Sequence, residues 1–391
     1  MDLSFRHKSP FYLYTALWLI YLLQGVIFGG ETIIAKLLLV VLLAWSACHF
    51  LHAATHHMPS PLAVLTILLV SYVLYGLVPI VNNEVGHIGL DRVSVPPFSY
   101  MKAALSSILP AYTYYHFAKR GMINGRDIRV LAVVFLPLII LDYYHNEQQI
   151  LAKALSEGID REEITNNVGY EFLCLFPYLY FLKRKYALPF MVCLVVFLLM
   201  AMKRGAILIG TLCTILYLYN WLRYAKRQTK IYAFAGIIAI AIGIGLFVSD
   251  MYENSPYFQH RIESTLEGNT SGRDEIVSHL LDEYTNKGST VNLLFGFGAN
   301  GTLKHGGRYA HSDWVEMLID QGAIGVFILL SFYVSLFLFL CRTRRRNAVK
   351  NAALMLFIIM SAKTVFSMSI CAMLPYTTLL LGYSIWQISK K

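Results

Sequence analysis

Long apolar runs alternate with short polar connectors along this chain. The runs are about 16–22 residues long and recur over nearly the whole sequence. Because an α-helix needs about 20 apolar residues to cross about 30 Å of hydrocarbon, the pattern predicts an all-α, polytopic integral membrane protein. We place about twelve transmembrane helices at residues 11–29, 32–50, 61–81, 100–118, 130–145, 168–182, 187–202, 205–222, 231–249, 314–340, 351–371 and 373–388.

Positive charge predicts the orientation of these helices. With the N-terminus inside, the cytoplasmic connectors hold 20 of the 33 Lys and Arg residues and two acids, Asp2 and Asp127. This asymmetry follows the positive-inside rule. Joining residues 187–202 and 205–222 into one broken helix would move the later cationic connectors outside, so two helices are favoured. Both termini are therefore predicted to be cytoplasmic.

The predicted helices divide the chain into three regions. Residues 1–249 hold helices 1–9, residues 250–313 form one large periplasmic loop between helices 9 and 10, and residues 314–391 hold helices 10–12. The first apolar run, from Phe11, lacks a small-residue cleavage site. A cleavable signal peptide is therefore not expected.

Composition supports the membrane class and argues against others. The chain is 57% hydrophobic and 14% charged, whereas a soluble domain carries roughly 25% charged residues. The formal net charge of +10 is explained by the cytoplasmic connectors, so no nucleic-acid partner is expected. All six cysteines lie in or at the edges of apolar runs, so neither a disulfide framework nor a metal cluster is indicated.

Lys203 and Arg204 break the charge pattern. The pair lies at the predicted outer membrane face, in a turn too short to be a solvated loop. One explanation is that both side chains snorkel to the interface. The other is that cations held at the edge of a helical bundle bind an anion there.

The long outer loop shows local organisation. Residues 269–272 form a predicted turn, and the segment "RDEIVSHLLDEY" after it places apolar residues at helical spacing. A short amphipathic helix is expected there. The segment "FGFGANG" then supplies glycines that permit close approach of the backbone to a ligand, although a simple reversal of the chain explains them equally well. The apolar helix positions are Ile276, Val277, Leu280 and Leu281, and the glycines are Gly296, Gly298 and Gly301.

A further helix is predicted to start at Asp313. Asp313 followed by Glu316 resembles a capping box. His311 then stands just before a helix N-terminus, where the helix dipole favours anions and disfavours a protonated imidazole. The histidine would be available as a base near neutral pH. The alternative is an exposed loop histidine without a role.

Three separated segments, all on the predicted outer side, resemble one family. "MKRGAIL" is similar to its small-Arg-Gly-aliphatic segment, and "NTSGRDEI" to the Ser-Gly-Arg segment of its large periplasmic loop. "LLFGFGANG" followed by "AHSDWVEMLIDQGAIGVFILL" resembles its Gly-x-Gly turn, its His-Asn helix start and the Gly-x-x-Gly that follows. The family is the O-antigen polymerase and ligase superfamily of bacterial membrane glycosyltransferases, and the resemblance covers residues 200–330. Where the family commonly has Asn after the histidine, this chain has Ser312.

The resemblance implies glycan transfer from undecaprenyl pyrophosphate to a sugar hydroxyl on the periplasmic side of the bacterial inner membrane. No cofactor is implied, and we expect the transfer to be metal-independent. Arg204 would bind the diphosphate, with Arg273 as a second clamp, because guanidinium binds phosphate in a bidentate manner. His311 would act as the base or orient the acceptor hydroxyl. Four further residues are assigned to substrate binding: Lys203, Arg308, Gly296 and Gly298.

Three functions stay open at this point. We favour a polymerase, for which both donor and acceptor are oligosaccharides linked to undecaprenyl pyrophosphate. A ligase that hands finished glycan to lipid A-core or to a protein would share the donor site. A lipid-linked oligosaccharide flippase belongs to another class; the histidine and arginines of the outer loop and the lack of an internal repeat argue against it. Membrane lipid, a chain-length regulator and a flippase are candidate partners.

Two other polar features lie away from these motifs. Lys363 falls deep in the eleventh predicted helix and needs a partner, for which Asp142 and Glu171 are candidates. The segment "CHFLHAATHH" places histidines on one helix face at the predicted cytoplasmic end, where interfacial histidines are favoured over a metal site. These histidines are His49, His52, His56 and His57.

Overall fold

The computed structural model describes residues 3–29, 32–83, 86–88, 93–157, 166–223, 273–343 and 347–390, with a few isolated positions between 245 and 263. Three predicted features lie wholly or mostly outside the described residues. They are the connector cations of residues 224–230, the ninth helix at 231–249 and the turn at 269–272.

The described residues form fifteen α-helices and one pair of short strands. In chain order they are α1 (Leu3–Leu22), α2 (Gln24–Phe28), α3 (Ile33–Ala54), α4 (Ser60–Val81), β1 (Gly86–Ile88), β2 (Val93–Val95), α5 (Ser99–Lys119), α6 (Gly125–Glu157), α7 (Gly169–Cys174), α8 (Arg184–Met200), α9 (Arg204–Arg223), α10 (Arg273–Asp282), α11 (Thr290–Phe295), α12 (Gly301–Gly306), α13 (Asp313–Arg342), α14 (Ala348–Phe366) and α15 (Pro375–Ser389). β1 and β2 are antiparallel, with Gly86 opposite Val95.

Six of the described helices are long and apolar enough to cross a membrane. The chain is therefore an α-helical, multi-pass membrane protein, while the number of twelve spans stays a prediction. The six helices are Ile33–Ala54, Ser60–Val81, Gly125–Ser156, Arg204–Arg223, Asp313–Arg342 and Ala348–Phe366.

The chain divides into two compact units, described here separately. The first unit comprises Met1–Ile128 and Gly272–Lys391, and the second comprises Arg129–Ser271. In the first unit, α5 packs against α3, α4 and α15, and α13 packs against α4 and α14. Gly382 permits the contact between α15 and α5, since a Cβ atom there would lie 2.5 Å from the carbonyl oxygen of Ala111. Small residues allow this close approach of helix backbones in membrane proteins.

The separation of α8 from α9 confirms two helices where one broken helix was the alternative. Three residues, 201–203, connect them. Met202 in this connection has φ 52°, in the left-handed region that ends many helices. Gly210 of α9 leaves room for the side chain of Leu198 of α8, so the two helices pack closely.

Two predicted helices of the second unit differ from the structure. Residues 169–181 form α7 and then a 3-10 helix, Phe176–Phe181, in place of one continuous α-helix over 168–182. Pro177 explains the break, because proline has no N–H to donate to the preceding turn. α6 has 33 residues, about 50 Å at 1.5 Å per residue, and it continues well beyond its predicted end at residue 145.

Candidate functional site

A kink at Gly322 divides α13 into two segments. Gly322 has φ 67° and ψ −162°, a conformation that is essentially restricted to glycine. The apolar residues 323–342 follow it and cover about 30 Å at 1.5 Å per residue. The predicted helix start at Asp313 is confirmed, but the membrane-length part of this helix begins beyond the kink.

The glycine-rich turn after α11 packs backbone to backbone against this kink. The N–H of Phe297 donates to the carbonyl of Ile319 at 2.8 Å, and the N–H of Gly298 donates to the carbonyl of Asp320 at 3.0 Å. In a regular helix those carbonyls would bond to N–H groups one turn later, so the turn satisfies acceptors that the kink releases. Gly296 has φ 75° and no room for a Cβ atom, because the backbone of Asp320 lies there.

These bonds give Gly296 and Gly298 a structural role. The N–H of Gly296 donates to the carbonyl of Asn292 at 2.7 Å, so both glycine amides have partners inside the protein. The close backbone approach that the glycines were expected to permit is made here to α13. Their contact with a substrate stays a prediction.

Three buried acids on one face of α13 hold the surrounding loops. Glu316 accepts from the N–H of Ala310 and from the hydroxyl of Thr302, both at 2.6 Å. Asp320 accepts from the N–H of Thr302 at 3.2 Å. Asp313 accepts from the N–H groups of Ser369 and Ile370, at 2.8 and 3.2 Å, in the turn between α14 and α15. Each acid is at most 6% exposed, so all three stabilise the loops from within.

The sequence analysis did not foresee this role of the acids. Asp313, Glu316 and Asp320 stand at i, i+3 and i+7, which places them on one helix face, and that spacing was the available signal. The predicted capping box is wrong. Ser312 is the N-cap residue and makes no side-chain cap bond. Asp313 binds a distant turn at Ser369 and Ile370, and Glu316 binds Ala310, just before the helix, together with Thr302.

His311 is exposed beside this acid face. Its backbone has φ 55°, in the left-handed region that few non-glycine residues occupy. Hydrogen bonds from the backbone of Ala310 and His311 to the Glu316 carboxylate accompany this conformation. Such backbone conformations are concentrated at functional sites. The chain thus holds the His311 backbone firmly while the residue faces solvent.

Two neighbours of His311 differ in accessibility. Arg308 is exposed, whereas Tyr309 is half-buried. Burial, followed by the nearby Glu316 and Asp320 carboxylates, raises the pKa of Tyr309 to about 12. Tyr309 is therefore neutral near pH 7, and the charged group of this loop that faces solvent is Arg308.

Arg273 begins the predicted amphipathic helix, which the structure confirms as α10. Leu280 of α10 is buried with Tyr284, Ala310 and Ile319. The Arg273 guanidinium donates through Nη1 to the carbonyl of Phe366 at 3.0 Å, at the C-terminal end of α14. A cation is favourable at that end of a helix. This bond uses one of five guanidinium donors, and the second-clamp role of Arg273 stays a prediction.

Lys363 is buried in the same unit, at 7% exposed. Its Nζ lies 3.5 Å from the carbonyl oxygen of Ala372, and its charge acts on the Asp313 carboxylate. Asp142 and Glu171, the partners considered from sequence, belong to the other unit. Their pairing with Lys363 stays a prediction.

In the second unit, Lys203 and Arg204 stand at the N-terminal end of α9. Lys203 Nζ donates to the Asn167 side chain at 2.8 Å and lies 6.0 Å from the ring centroid of Tyr170. The first turn of α9 contains no acid. A cation at this end of a helix interacts unfavourably with the helix dipole, at a cost of roughly 0.3–1 kcal/mol. An anion bound at this turn would offset that cost.

Asparagines that were not foreseen support the cationic turn. Asn166 is fully buried, and its Oδ1 accepts from Asn146 at 2.6 Å and from the N–H of Val168 at 3.1 Å. Its amide donates to Glu147 at 3.2 Å. The network fixes the segment before α7, and with it the Asn167 partner of Lys203. Asn146 lies in the part of α6 beyond its predicted end, which is why the sequence did not suggest it.

The predicted site residues are divided between the two units. The second unit holds Lys203 and Arg204; the first holds Arg273, Gly296, Gly298, Arg308 and His311. Among the described residues, no group of three or more His, Cys, Asp or Glu side chains is arranged to hold a metal ion.

No family model matches this chain, and no curated protein matches it significantly.

We expect Glu316→Ala to destabilise the first unit by about 2–4 kcal/mol. The substitution leaves the N–H of Ala310 and the hydroxyl of Thr302 without their acceptor, and each buried unsatisfied group costs about 1–3 kcal/mol. Thermal unfolding in detergent and limited proteolysis of residues 296–311 measure the effect. Glu275→Ala, at an exposed acid of α10, is the control. Equal stability of the two variants would show that Glu316 does not hold the loop.

Proposed function

We propose that this protein is an integral membrane glycosyltransferase that polymerises a lipid-linked surface polysaccharide such as O-antigen. The observation that carries the proposal is the pair Lys203-Arg204 at the N-terminal end of α9. The pair opposes the helix dipole and departs from the positive-inside pattern. A diphosphate headgroup at the outer membrane face would account for both departures.

The reaction requires a cation at the leaving group. As the bond between the sugar C1 and the diphosphate oxygen breaks, the electron pair stays on the diphosphate, and its negative charge grows. In our proposal, the Arg204 guanidinium binds that group with two parallel N–H bonds. Lys203 adds positive charge beside it. Arg273 is proposed as a second diphosphate ligand through the donors that its bond to Phe366 does not use.

The acceptor hydroxyl must lose a proton as its oxygen bonds to C1. His311 is proposed as the group that takes this proton or orients the hydroxyl. Its exposure and its left-handed backbone conformation, held through Glu316, support the assignment. Arg308, exposed in the same loop, adds positive field toward the anionic substrate.

The donor and acceptor are proposed to be oligosaccharides on undecaprenyl pyrophosphate, on the periplasmic side of the inner membrane. The carrier's own phosphoanhydride-linked leaving group then drives the transfer without a cofactor. The ligase alternative has the same donor chemistry and differs in its acceptor. Glycan size on each carrier therefore separates the two.

We expect cells that lack this protein to carry single repeat units in place of long glycan. Complementation with the wild-type chain should restore long chains, and a sizing gel of surface and lipid-linked glycan measures both. Long polymer that accumulates on the lipid carrier in the deleted cells would instead identify a ligase. Repeat units trapped on the cytoplasmic side would contradict both readings and identify a flippase.

A further inference from the structure

Four histidine rings contact one another at one end of the first unit. His49 and His116 stack with ring centroids 4.3 Å apart and planes at 15°. His52 lies 5.4 Å from His116, and His56 lies 4.4 Å from His52. Three of these rings come from α3 and the turn after it, whereas His116 comes from α5. The fold thus adds to the sequence cluster a histidine from a distant part of the chain.

A pocket opens beside these rings. Its polar lining consists of His52, His56, His57, Tyr115, His116 and Lys119. His52, His56, His57 and Lys119 are exposed, so the pocket is open to solvent. Imidazole, phenol and ammonium groups all offer hydrogen-bond donors.

The two segments that line this pocket contain no acid. Residues 45–60 and 110–126, which supply its side chains, contain no Asp or Glu. Asp127 is the next acid along the chain after α5, and Lys8 Nζ already donates to its two oxygens at 2.6 and 2.9 Å. The Tyr12 hydroxyl also donates to Asp127, at 2.8 Å. The pocket therefore combines many hydrogen-bond donors with the positive charge of Lys119.

The ring geometry argues against a metal ion. The rings of His49 and His116 lie face to face, and His56 Nδ1 is 2.7 Å from the carbonyl oxygen of His52. A metal site needs nitrogen atoms that converge on one point at about 2.0–2.1 Å. The described histidines here do not form such a group.

We propose that this pocket binds a phosphate group. The helices α3 and α5 both end at it, and basic pockets between transmembrane helices bind phospholipid headgroups. The phosphate belongs either to an anionic phospholipid of the surrounding leaflet or to a soluble phosphate compound. The inference is independent of the proposed glycan transfer, because binding alone is measured and the histidine pocket shares no residue with the groups assigned to transfer.

The test uses the purified full chain with its purification tag removed, in a zwitterionic detergent. Thermal unfolding is followed on addition of phosphatidylglycerol, of inorganic phosphate, or of Ni²⁺. The test variant is His52→Gln/His56→Gln/Lys119→Gln, because all three residues are exposed and their replacement leaves the core intact. The control is His279→Gln, at an exposed histidine of α10.

We expect phosphate to raise the unfolding temperature of the wild type and of the control. In the triple variant, the ligand concentration that gives half of this stabilisation should be about tenfold higher. A response to phosphatidylglycerol alone identifies a lipid headgroup, and a response to inorganic phosphate identifies a soluble ligand. Lys119→Arg should keep the response, since the charge is kept. No stabilisation by either probe, or equal stabilisation of the triple variant, would overturn the proposal.

The response to Ni²⁺ separates phosphate from metal. A metal needs neutral imidazole, so its binding weakens as pH falls. Ni²⁺ binding that strengthens toward pH 8 and is lost in the triple variant would replace the phosphate site by a metal site. The titratable groups that line the pocket are His52, His56 and His57 from α3 and its turn, and Tyr115, His116 and Lys119 from α5. His49 stacks on His116 behind them.

Discussion

Arg204→Ala should abolish glycan polymerisation while the protein stays folded and inserted. Removing a group that stabilises transition-state charge typically lowers the catalytic rate about 10²–10³-fold. Loss of a cation from the N-terminal end of α9 also removes an unfavourable interaction with the helix dipole. The glycan sizing gel in complemented cells measures the first effect, and the amount of protein in the membrane fraction measures the second.

A matched pair of variants separates the role of Arg204 from a general loss of charge. Arg223→Ala removes a cation from the last turn of the same helix and should leave glycan length unchanged. Arg204→Lys should stay poor, since one ammonium group does not replace the planar guanidinium fork. Normal glycan in cells that carry Arg204→Ala would remove Arg204 from the proposed site.

Gly322→Ala should destabilise the first unit by about 3–5 kcal/mol. The new Cβ atom would lie 2.5 Å from the backbone nitrogen of Gly296 and equally close to the backbone of Leu294. The backbone angles at Gly322 add about 1–3 kcal/mol of strain for any other residue, and forced overlap in a packed interior adds typically 1–3 kcal/mol more. The measurement is urea unfolding of the detergent-solubilised protein. It gives the free energy of unfolding and, from the slope with urea concentration, the cooperativity.

Gly307→Ala is the control for the backbone angle. Gly307 has φ 66°, close to that of Gly322, but its ψ is 0°. No described heavy atom lies within 4 Å of the position its Cβ would take. A cost of about 1 kcal/mol is expected there. If both substitutions cost the same, the contact between the glycine turn and the kink contributes nothing to stability.

The positions of most helices could be predicted from the apolar pattern. α4, α5 and α9 begin and end within two residues of their predicted limits, because membrane helices must bury a continuous apolar length. The same rule misjudged residues 169–181, which the second unit buries although they do not form one continuous α-helix. Apolar sequence indicates burial, but it does not say whether lipid or protein covers the segment.

The candidate site could be predicted only where residues depart from the charge pattern expected of a membrane protein. Lys203 and Arg204 stood out because they break the charge pattern of the connectors. Glu316 and Asp320 did not, because acids in a polar segment are ordinary until their partners, Thr302 and Ala310, are known. Their role depends on loops that approach from elsewhere in the chain, and no local pattern encodes that approach.

The sequence by itself determined the class of protein, the limits of several helices and the residues that carry unusual charge. Hydrophobic length and charge are properties of the chain that act before any two segments meet. Tertiary structure decided that Gly298 donates to a carbonyl at the Gly322 kink, that Lys363 lies near the carbonyl of Ala372, and that His116 stacks on His49. Those pairings depend on close packing between segments distant in sequence, and packing depends on three-dimensional shape that a linear pattern does not contain.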